Sequence, residues 1–357
     1  MTTGGPRIGI VLGTRPEIIK NWSIVQALRR REVPHHVLHT NQHTALLMDG
    51  AVFSELEYAP DQRYEGIYSL GRAIDWVRAC ISELELELIV VNGDTAASLV
   101  GALGAVYSDV GVAHVEAGLR SYDREMYEER NRIMVDAAAH YLFTYTEQEA
   151  DFLRQRPELR GRVFNAGNTT VDVIDAFASR LERPRPGRYA YVTLHRKELT
   201  DRPDVLVEVF GALAELAREV NEVVFPVHPR TRDVMERHRI PPSVLGDVVT
   251  TEPVGALASL AHVKHAAVVV TDSGCVQEEA CILGVPCVTV RENTERGATL
   301  AIGANVLSGL KRNNILACAR YQIARTDRDW PAIYGSPGAG ERIVDVLQRE
   351  FRSFRDY

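Results

Sequence analysis

Short, Val-rich apolar runs alternate with longer amphipathic stretches along this 357-residue chain, and that alternation constrains its fold more than any other feature. The runs are continuous rather than alternating apolar and polar, so the strands they predict belong to sheets covered on both faces. They fall at Ile8–Leu12, His36–His39, Leu88–Val91, Ala113–Val115, Leu142–Tyr145 and Val163–Phe164, with helical patterns such as Ala96–Tyr107 and Glu128–Ala139 between them. After a helical stretch near Val171–Leu181 comes Glu182-Arg-Pro-Arg-Pro-Gly-Arg188, a proline- and glycine-bearing linker. The alternation then restarts with runs at Tyr189–Leu194, Val223–Val227, Ala266–Thr271 and Cys287–Val290. A break near the middle fits two successive α/β domains better than a barrel, and the length exceeds what one hydrophobic core sustains. The expected fold is two doubly wound Rossmann-like domains, residues 1–181 and 182–340, facing a central cleft, with a last helix in 341–357. Ligands of such domains bind at the carboxyl ends of the strands.

Composition narrows the function. A formal charge of −7 argues against a nucleic-acid binder, which presents a basic face. It leaves room for an anionic small molecule held by a few arginines and helix N-termini. The five cysteines show no CxxC pair and no metal-ligand spacing. They read as reduced thiols, and no metal is expected. No basic leader precedes an apolar core at the N-terminus, and no apolar run approaches the roughly 20 residues that span a bilayer. The expectation is a soluble, cytoplasmic protein that engages no membrane.

Polar residues cluster where strands give way to helices. Gly13-Thr-Arg-Pro-Glu-Ile-Ile-Lys20 offers Arg15, Lys20 and helix-start amides to a diphosphate. Taken alone it is equally an ordinary strand-to-helix turn with Pro16 at the first helical position. Asp94 in Asn92-Gly-Asp-Thr95 and Glu116 in His114-Val-Glu-Ala-Gly-Leu-Arg120 both follow apolar runs. Glu128 arrives on the helix Glu128-Glu-Arg-Asn-Arg132. Asp94 could equally be a helix N-cap, and Glu128 and Arg132 a surface i,i+4 pair. Three carboxylates converging on one sheet edge are nonetheless suited to moving protons on a sugar. In the second half His195, beside Arg196 and Lys197, ends a strand, and His228 repeats the theme one unit later. Thr271-Asp-Ser-Gly-Cys-Val-Gln-Glu-Glu279 opens a helix at Ser273 and Gly274, with Glu278 or Glu279 placed to meet ribose hydroxyls. A polar loop, Arg291-Glu-Asn-Thr-Glu-Arg296, follows.

Taken in order, GTRPEIIK, NGDT, HVEAGLR, EERNR, GNTTVD (Gly167–Asp172), HRKE, PVHP, DSGCVQEE and TERG closely resemble the non-hydrolysing UDP-N-acetylglucosamine 2-epimerases. The match runs from residue 13 to about 297. The resemblance implies the two-domain fold shared with many nucleotide-sugar glycosyltransferases (the glycosyltransferase-B type), a homodimer, and a last helix that crosses back onto the first domain. It implies anti elimination of UDP to a 2-acetamidoglucal, then re-addition with the C2 proton delivered to the other face, and calls for no cofactor. By matching position, Asp94, Glu116, Glu128 and His195 stand where the family has its catalytic acid, base and support residues. Arg15, Lys20, Arg132, His228, Ser273, Gly274, Glu279 and Arg296 stand among the positions that contact phosphate and nucleotide.

The chain departs from the family pattern in several places. Tyr127 replaces a proline, Leu199 replaces the asparagine after HRxE, and Gly297-Ala298 replaces Pro-Glu after TER. Asn41-Gln-His-Thr-Ala45 keeps part of a GQHxxM pattern linked in bacterial members to an activating second substrate site. A hydrolysing 2-epimerase, a 2-epimerase of a modified UDP-sugar, a glycosyltransferase and a non-catalytic nucleotide-sugar binder remain as alternatives. The crowded acids favour proton transfer over the last two.

Overall fold

A computed structural model describes residues 5–42 and 46–351. Residues 43–45 of the Asn41–Ala45 segment lie outside the described residues. The chain divides into two compact units, residues 1–176 with 333–357, and residues 177–332. The proline-rich stretch 182–188 lies inside the second of these.

The first unit runs β1 (Ile8–Leu12), α1 (Arg15–Arg30), β2 (His35–His39), α2 (Leu46–Glu55), β3 (Gln62–Arg63), α3 (Leu70–Glu83), β4 (Leu88–Asn92) and α4 (Ala96–Val106). It continues with β5 (Gly111–Val115), α5 (Tyr127–Ala138), β6 (Tyr141–Thr144), α6 (Glu147–Arg154), β7 (Arg162–Asn165) and α7 (Thr169–Ala176). Its seven strands lie in the order β3-β2-β1-β4-β5-β6-β7 and pair in parallel throughout. The chain therefore reverses direction across the sheet between β1 and β4, the switch point at which doubly wound sheets bind ligands. β1, β4 and β5 are buried at every residue, as strands covered by helices on both faces must be. Their register is continuous, Val11 pairing Val91 and Val91 pairing His114, so the three carboxyl ends finish side by side.

The second unit repeats the plan with β8 (Ala190–Thr193), α8 (Lys197–Thr200), α9 (Pro203–Glu219), β9 (Val223–Pro226), α10 (Pro229–Arg237), β10 (Val249–Thr251) and α11 (Ala256–His265). Then come β11 (Val268–Thr271), α12 (Gly274–Ile282), β12 (Cys287–Thr289), α13 (Gly297–Ala301), β13 (Asn305–Leu307) and α14 (Arg312–Ala324). Its strand order, β10-β9-β8-β11-β12-β13, is again doubly wound and parallel. Phe210 and Phe225 are fully buried in a core between α9, α14 and the sheet.

The last helix, α15 (Ala339–Glu350), belongs to the first unit and packs on α1 and α7. Ile343, Val344 and Leu347 are fully buried, each such side chain being worth about 1.5–3 kcal/mol. Gly340 meets α1 so closely that a Cβ would lie 2.5 Å from the Ser23 carbonyl oxygen. The helix start is capped by a remote residue. Asp172, the end of the GNTTVD motif, accepts hydrogen bonds from the backbone N–H groups of Gly338, Ala339 and Gly340 at 2.6, 3.1 and 2.8 Å. It supplies the acceptors that the first turn lacks. Asp172→Ala is expected to destabilise the protein by about 1–3 kcal/mol in urea unfolding. Amide exchange should accelerate most over residues 338–347. An unchanged exchange pattern there would show that the cap does not hold the helix.

Candidate active site

In the first unit the acids at the carboxyl ends of β4 and β5, half-buried Asp94 and buried Glu116, are each matched by a buried cation. Lys20 projects from α1, is 4% exposed, and forms an ion pair with Glu116 Oε2, whose residue is 3% exposed. Lys20 is thus directed at a carboxylate as well as being a diphosphate-contact expectation. The same oxygen accepts a hydrogen bond from the Tyr145 hydroxyl at 3.2 Å, and the Lys20 ammonium lies 5.5 Å from the Tyr145 ring centroid. Glu116 sits at φ +71°, a left-handed conformation that disfavours non-glycine residues and marks stored strain.

Asp94 follows β4 and pairs through Oδ2 with Arg132, while Asn131 donates to the Asp94 carbonyl at 2.9 Å. The N-cap of α4 is Thr95, whose hydroxyl accepts from the amides of Ala97 and Ser98. The Asp94 carboxylate is therefore not spent on capping. Arg132 is fully buried, so the surface i,i+4 pair with Glu128 is absent. Its second partner is Glu129, three residues earlier, at 2.9 Å. Glu129 is itself fixed by the Ser121 amide and hydroxyl and the Tyr122 amide. Glu128, half-buried in the first turn of α5, makes no hydrogen bond or ion pair among the described residues. Arg15 is half-buried at the start of α1, and its charge helps restrain the upward shift that burial gives Asp49.

Two buried acids that the motifs did not single out hold this arrangement. Glu17 accepts from Gly13 N, Thr14 N and the Thr14, Thr95 and Ser98 hydroxyls, tying the turn after β1 to the start of α4. Burial pushes its carboxyl up to about 7, against the opposing pull of those hydrogen bonds. Asp136 on α5 accepts from His114 Nδ1 at 2.7 Å and Gly118 N at 3.3 Å, and pairs with Arg120 at 2.6 Å. The other ring nitrogen of His114 meets the Gly93 carbonyl at 2.9 Å. The clamp thus joins the loop carrying Glu116 to the loop carrying Asp94. Burial alone would raise the Asp136 carboxyl, but the hydrogen bond and charge of His114 and the Arg120 guanidinium more than offset it and hold it below its ordinary value. Helical spacing could have flagged Asp136, four residues beyond Arg132.

In the second unit, His195 stacks on His228, with ring centroids 5.0 Å apart. His228 is the N-cap of α10, and its Nδ1 accepts from Arg230 N at 3.2 Å. Asp272, fully buried after β11, accepts through Oδ2 from the amides of His195 and Arg196, both at 2.8 Å. Its Oδ1 lies 3.7 Å from His195 Nδ1. Ser273 is the N-cap of α12 and is half-buried. At Gly274 a Cβ would lie 2.6 Å from Glu295 Oε1, so the helix start admits no side chain. Arg296 is buried and pairs with Glu278 at 2.5 Å and Glu295 at 3.3 Å, while Arg291 holds Glu295 at 2.9 Å. Glu279 is buried within α12.

All five cysteines are free of disulfides. Burial pushes the thiols of Cys80 and Cys281 up to about 11 and about 12. Among the described residues no group of three or more His, Cys, Asp or Glu is placed to hold a metal ion. Among the described residues no helix is long and apolar enough to cross a membrane.

The family described as UDP-N-acetylglucosamine 2-epimerase matches residues 26–348. A UDP-N-acetylglucosamine 2-epimerase of Methanocaldococcus jannaschii is 36% identical, over 96% of this chain and 98% of the relative. A UDP-2,3-diacetamido-2,3-dideoxy-D-glucuronate 2-epimerase of Pseudomonas aeruginosa is 34% identical, over 96% and 99%. The crystal structure of the Methanocaldococcus jannaschii UDP-GlcNAc 2-epimerase with UDP-GlcNAc and UDP superposes with a TM-score of 0.87 at 35% identity, covering 96% of this chain and 99% of that one.

Because its carboxyl is held below the ordinary range, Asp136 contributes stability that is present above the unfolded-state value of about 3.9 and lost as pH falls through the folded one. Asp136→Asn, which leaves His114 and Arg120 without their buried anion, is expected to cost about 3–5 kcal/mol at neutral pH. In urea titrations between pH 3 and pH 7 the variant should show a shallower acid decline than the wild type. Parallel declines would remove Asp136 from the network's charge balance.

Proposed function

The chain belongs to the UDP-N-acetylglucosamine 2-epimerase family, and on that premise we propose that it inverts C2 of UDP-N-acetylglucosamine to give UDP-N-acetylmannosamine. The observation that carries this reading is the pair of acids at adjoining strand ends, Glu116 and Asp94, each ionically matched within the first unit. The C2–H bond is too weakly acidic to ionise alone. Coupling its loss to departure of UDP resolves this: a carboxylate takes the C2 proton, the C1–O bond breaks with its electron pair leaving on the diphosphate, and a 2-acetamidoglucal results. Re-addition reverses the balance, with a proton delivered to the opposite face of C2 and the diphosphate oxygen re-forming the bond at C1.

Two acids of different environment suit this sequence, one to accept and one to return a proton. The Asp94 side chain is 18% exposed and the Glu116 side chain 3%. Glu128, which makes no ion pair among the described residues and sits at the positive end of α5, is a third acid for this chemistry. In the second unit the amide-lined start of α12 and the stacked His195 and His228 are assigned to the diphosphate and sugar, with Glu279 for ribose. Ser273, Gly274, Arg15 and Arg296 complete the nucleotide-contacting set, Arg296 through the position it fixes for Glu278 and Glu295.

A second reading is favoured by one observation. The 34% identity to a 2-epimerase of a diacetamido uronate, with Leu199 and Ala298 in place of the family's polar residues, fits the same reaction on a modified UDP-sugar. The homodimer and cytoplasmic setting also belong to this reading; five unbonded cysteines accord with a reducing compartment. Equilibrium sedimentation is expected to give twice the 39.7 kDa chain mass, and a mass of one chain would refute the dimer.

Incubation with UDP-N-acetylglucosamine in D2O should yield UDP-N-acetylmannosamine bearing deuterium at C2, read by NMR. Free N-acetylmannosamine with UDP would mean hydrolysis instead. Glu116→Gln and Asp94→Asn should each lower turnover by at least about 100-fold while UDP still binds. Turnover retained by both variants would overturn the assignment.

A further inference from the structure

Glu116 has a neighbour to which neither motif nor chemistry has given a role. Tyr145 is the residue immediately after β6, and 1% of it is exposed. β5 and β6 pair in parallel with Val115 opposite Phe143, and the Ala117 amide donates to the Phe143 carbonyl at 3.0 Å. Glu116 and Tyr145 therefore leave adjoining strand ends together. One side chain touches both members of the buried ion pair: its hydroxyl donates to Glu116 Oε2, and its ring lies beneath the Lys20 ammonium. The ring is fixed in turn by Tyr334, which meets it edge-on with centroids 6.3 Å apart and planes at 89°. Tyr334 is itself anchored, its carbonyl accepting from Asn168 N at 3.0 Å.

We propose that Tyr145 is a positioning residue for Glu116, holding its Oε2 oxygen in the ionised, oriented form on which proton transfer depends. This rests on the reading of Glu116 as a proton-transfer group. A phenol cannot serve as a passive filler here, because a hydroxyl donor favours the charged form of a carboxylate. In a site this dry, the second donor also fixes direction: Lys20 is a rotatable point charge, whereas the tyrosine hydroxyl moves only with a ring clamped on two sides. Oε2 is thereby pinned by two donors from two elements, α1 and the end of β6. The strained backbone at Glu116 then has a fixed side chain to match.

Tyr145→Phe removes the hydroxyl alone and keeps the ring against Lys20 and Tyr334. It is expected to lower kcat by roughly 10-fold with KM for the UDP-sugar within about 2-fold, and to move the acid limb of the pH–rate profile upward by about one pH unit. Tyr145→Leu, which also removes the ring, should show the same pH displacement together with lower stability. A measurement that needs no substrate separates this proposal from the functional reading. With [13Cδ]glutamate labelling, and the Glu116 signal identified by its loss in Glu116→Gln, the carboxyl should titrate at higher pH in Tyr145→Phe than in the wild type. Coincident Glu116 titrations in wild type and Tyr145→Phe would overturn the proposal, whatever the turnover. A displaced titration in a protein that leaves UDP-N-acetylglucosamine untouched would uphold Tyr145 as the residue that sets Glu116, and would overturn the choice of substrate instead.

Discussion

Burying the Glu116 carboxylate is the constraint from which much of the first unit's local architecture follows. An ion taken out of water loses several kcal/mol of solvation, which only a close counter-charge and good hydrogen bonds offset. The counter-charge is Lys20, and Lys20 reaches Glu116 because α1 begins directly after β1. That start is fixed by Glu17, which collects the amides of Gly13 and Thr14 and the hydroxyl of Thr95. Thr95 in turn caps α4, which follows Asp94. The loops after β1, β4 and β5 are thus bound to one another by buried acids.

The strand order makes this possible. With β1, β4 and β5 adjacent, parallel and in continuous register, three strand-to-helix turns distant in sequence end within one row. Helix α5 closes the row by reaching back along it: Arg132 meets Asp94, and one turn later Asp136 meets the His114–Arg120 loop. The second unit has the same strand order but uses its buried acid differently. Asp272 accepts from two consecutive amides after β8, so its carboxylate is consumed in shaping the loop that presents His195. Buried acids thus organise loops in both units. Both units also pair buried acids with side-chain cations, Glu116 with Lys20 in the first and Glu278 and Glu295 with Arg296 in the second.

The alternation of apolar runs and helical stretches was enough to read both doubly wound units, because strands buried on two faces leave a continuous apolar signature that tolerates no other placement. The runs at Ile8–Leu12 and Leu88–Val91 coincide with β1 and β4 to within a residue. The identity of the acids at the strand ends was legible for the same reason: a charge immediately after a buried strand has to be accounted for. What each charge touches was not legible. Arg132 lies four residues from Glu128 and three from Glu129, and helical spacing allows either pairing; the structure selects Glu129 because Ser121 and Tyr122 already hold it. Asp94 was an acceptable N-cap by residue type, and the geometry gives the cap to Thr95 instead. Tyr145 was invisible because a tyrosine ending an apolar run reads as the strand's last core residue.

The ion pairs of Asp94 and Glu116 also differ in how their cations are held. Arg132 is divided between Asp94 and Glu129, and Glu129 is saturated by donors from residues 121 and 122, so the guanidinium is held by the scaffold whether or not Asp94 is charged. Arg132 thus keeps a carboxylate partner in the scaffold besides Asp94. Glu116 is placed otherwise: Lys20 is buried with it, and neutralising Glu116 leaves that ammonium facing the Tyr145 ring and hydroxyl. The scaffold thus holds the two cations unequally: Arg132 is shared between two carboxylates, whereas Lys20 is buried against Glu116 and the Tyr145 ring.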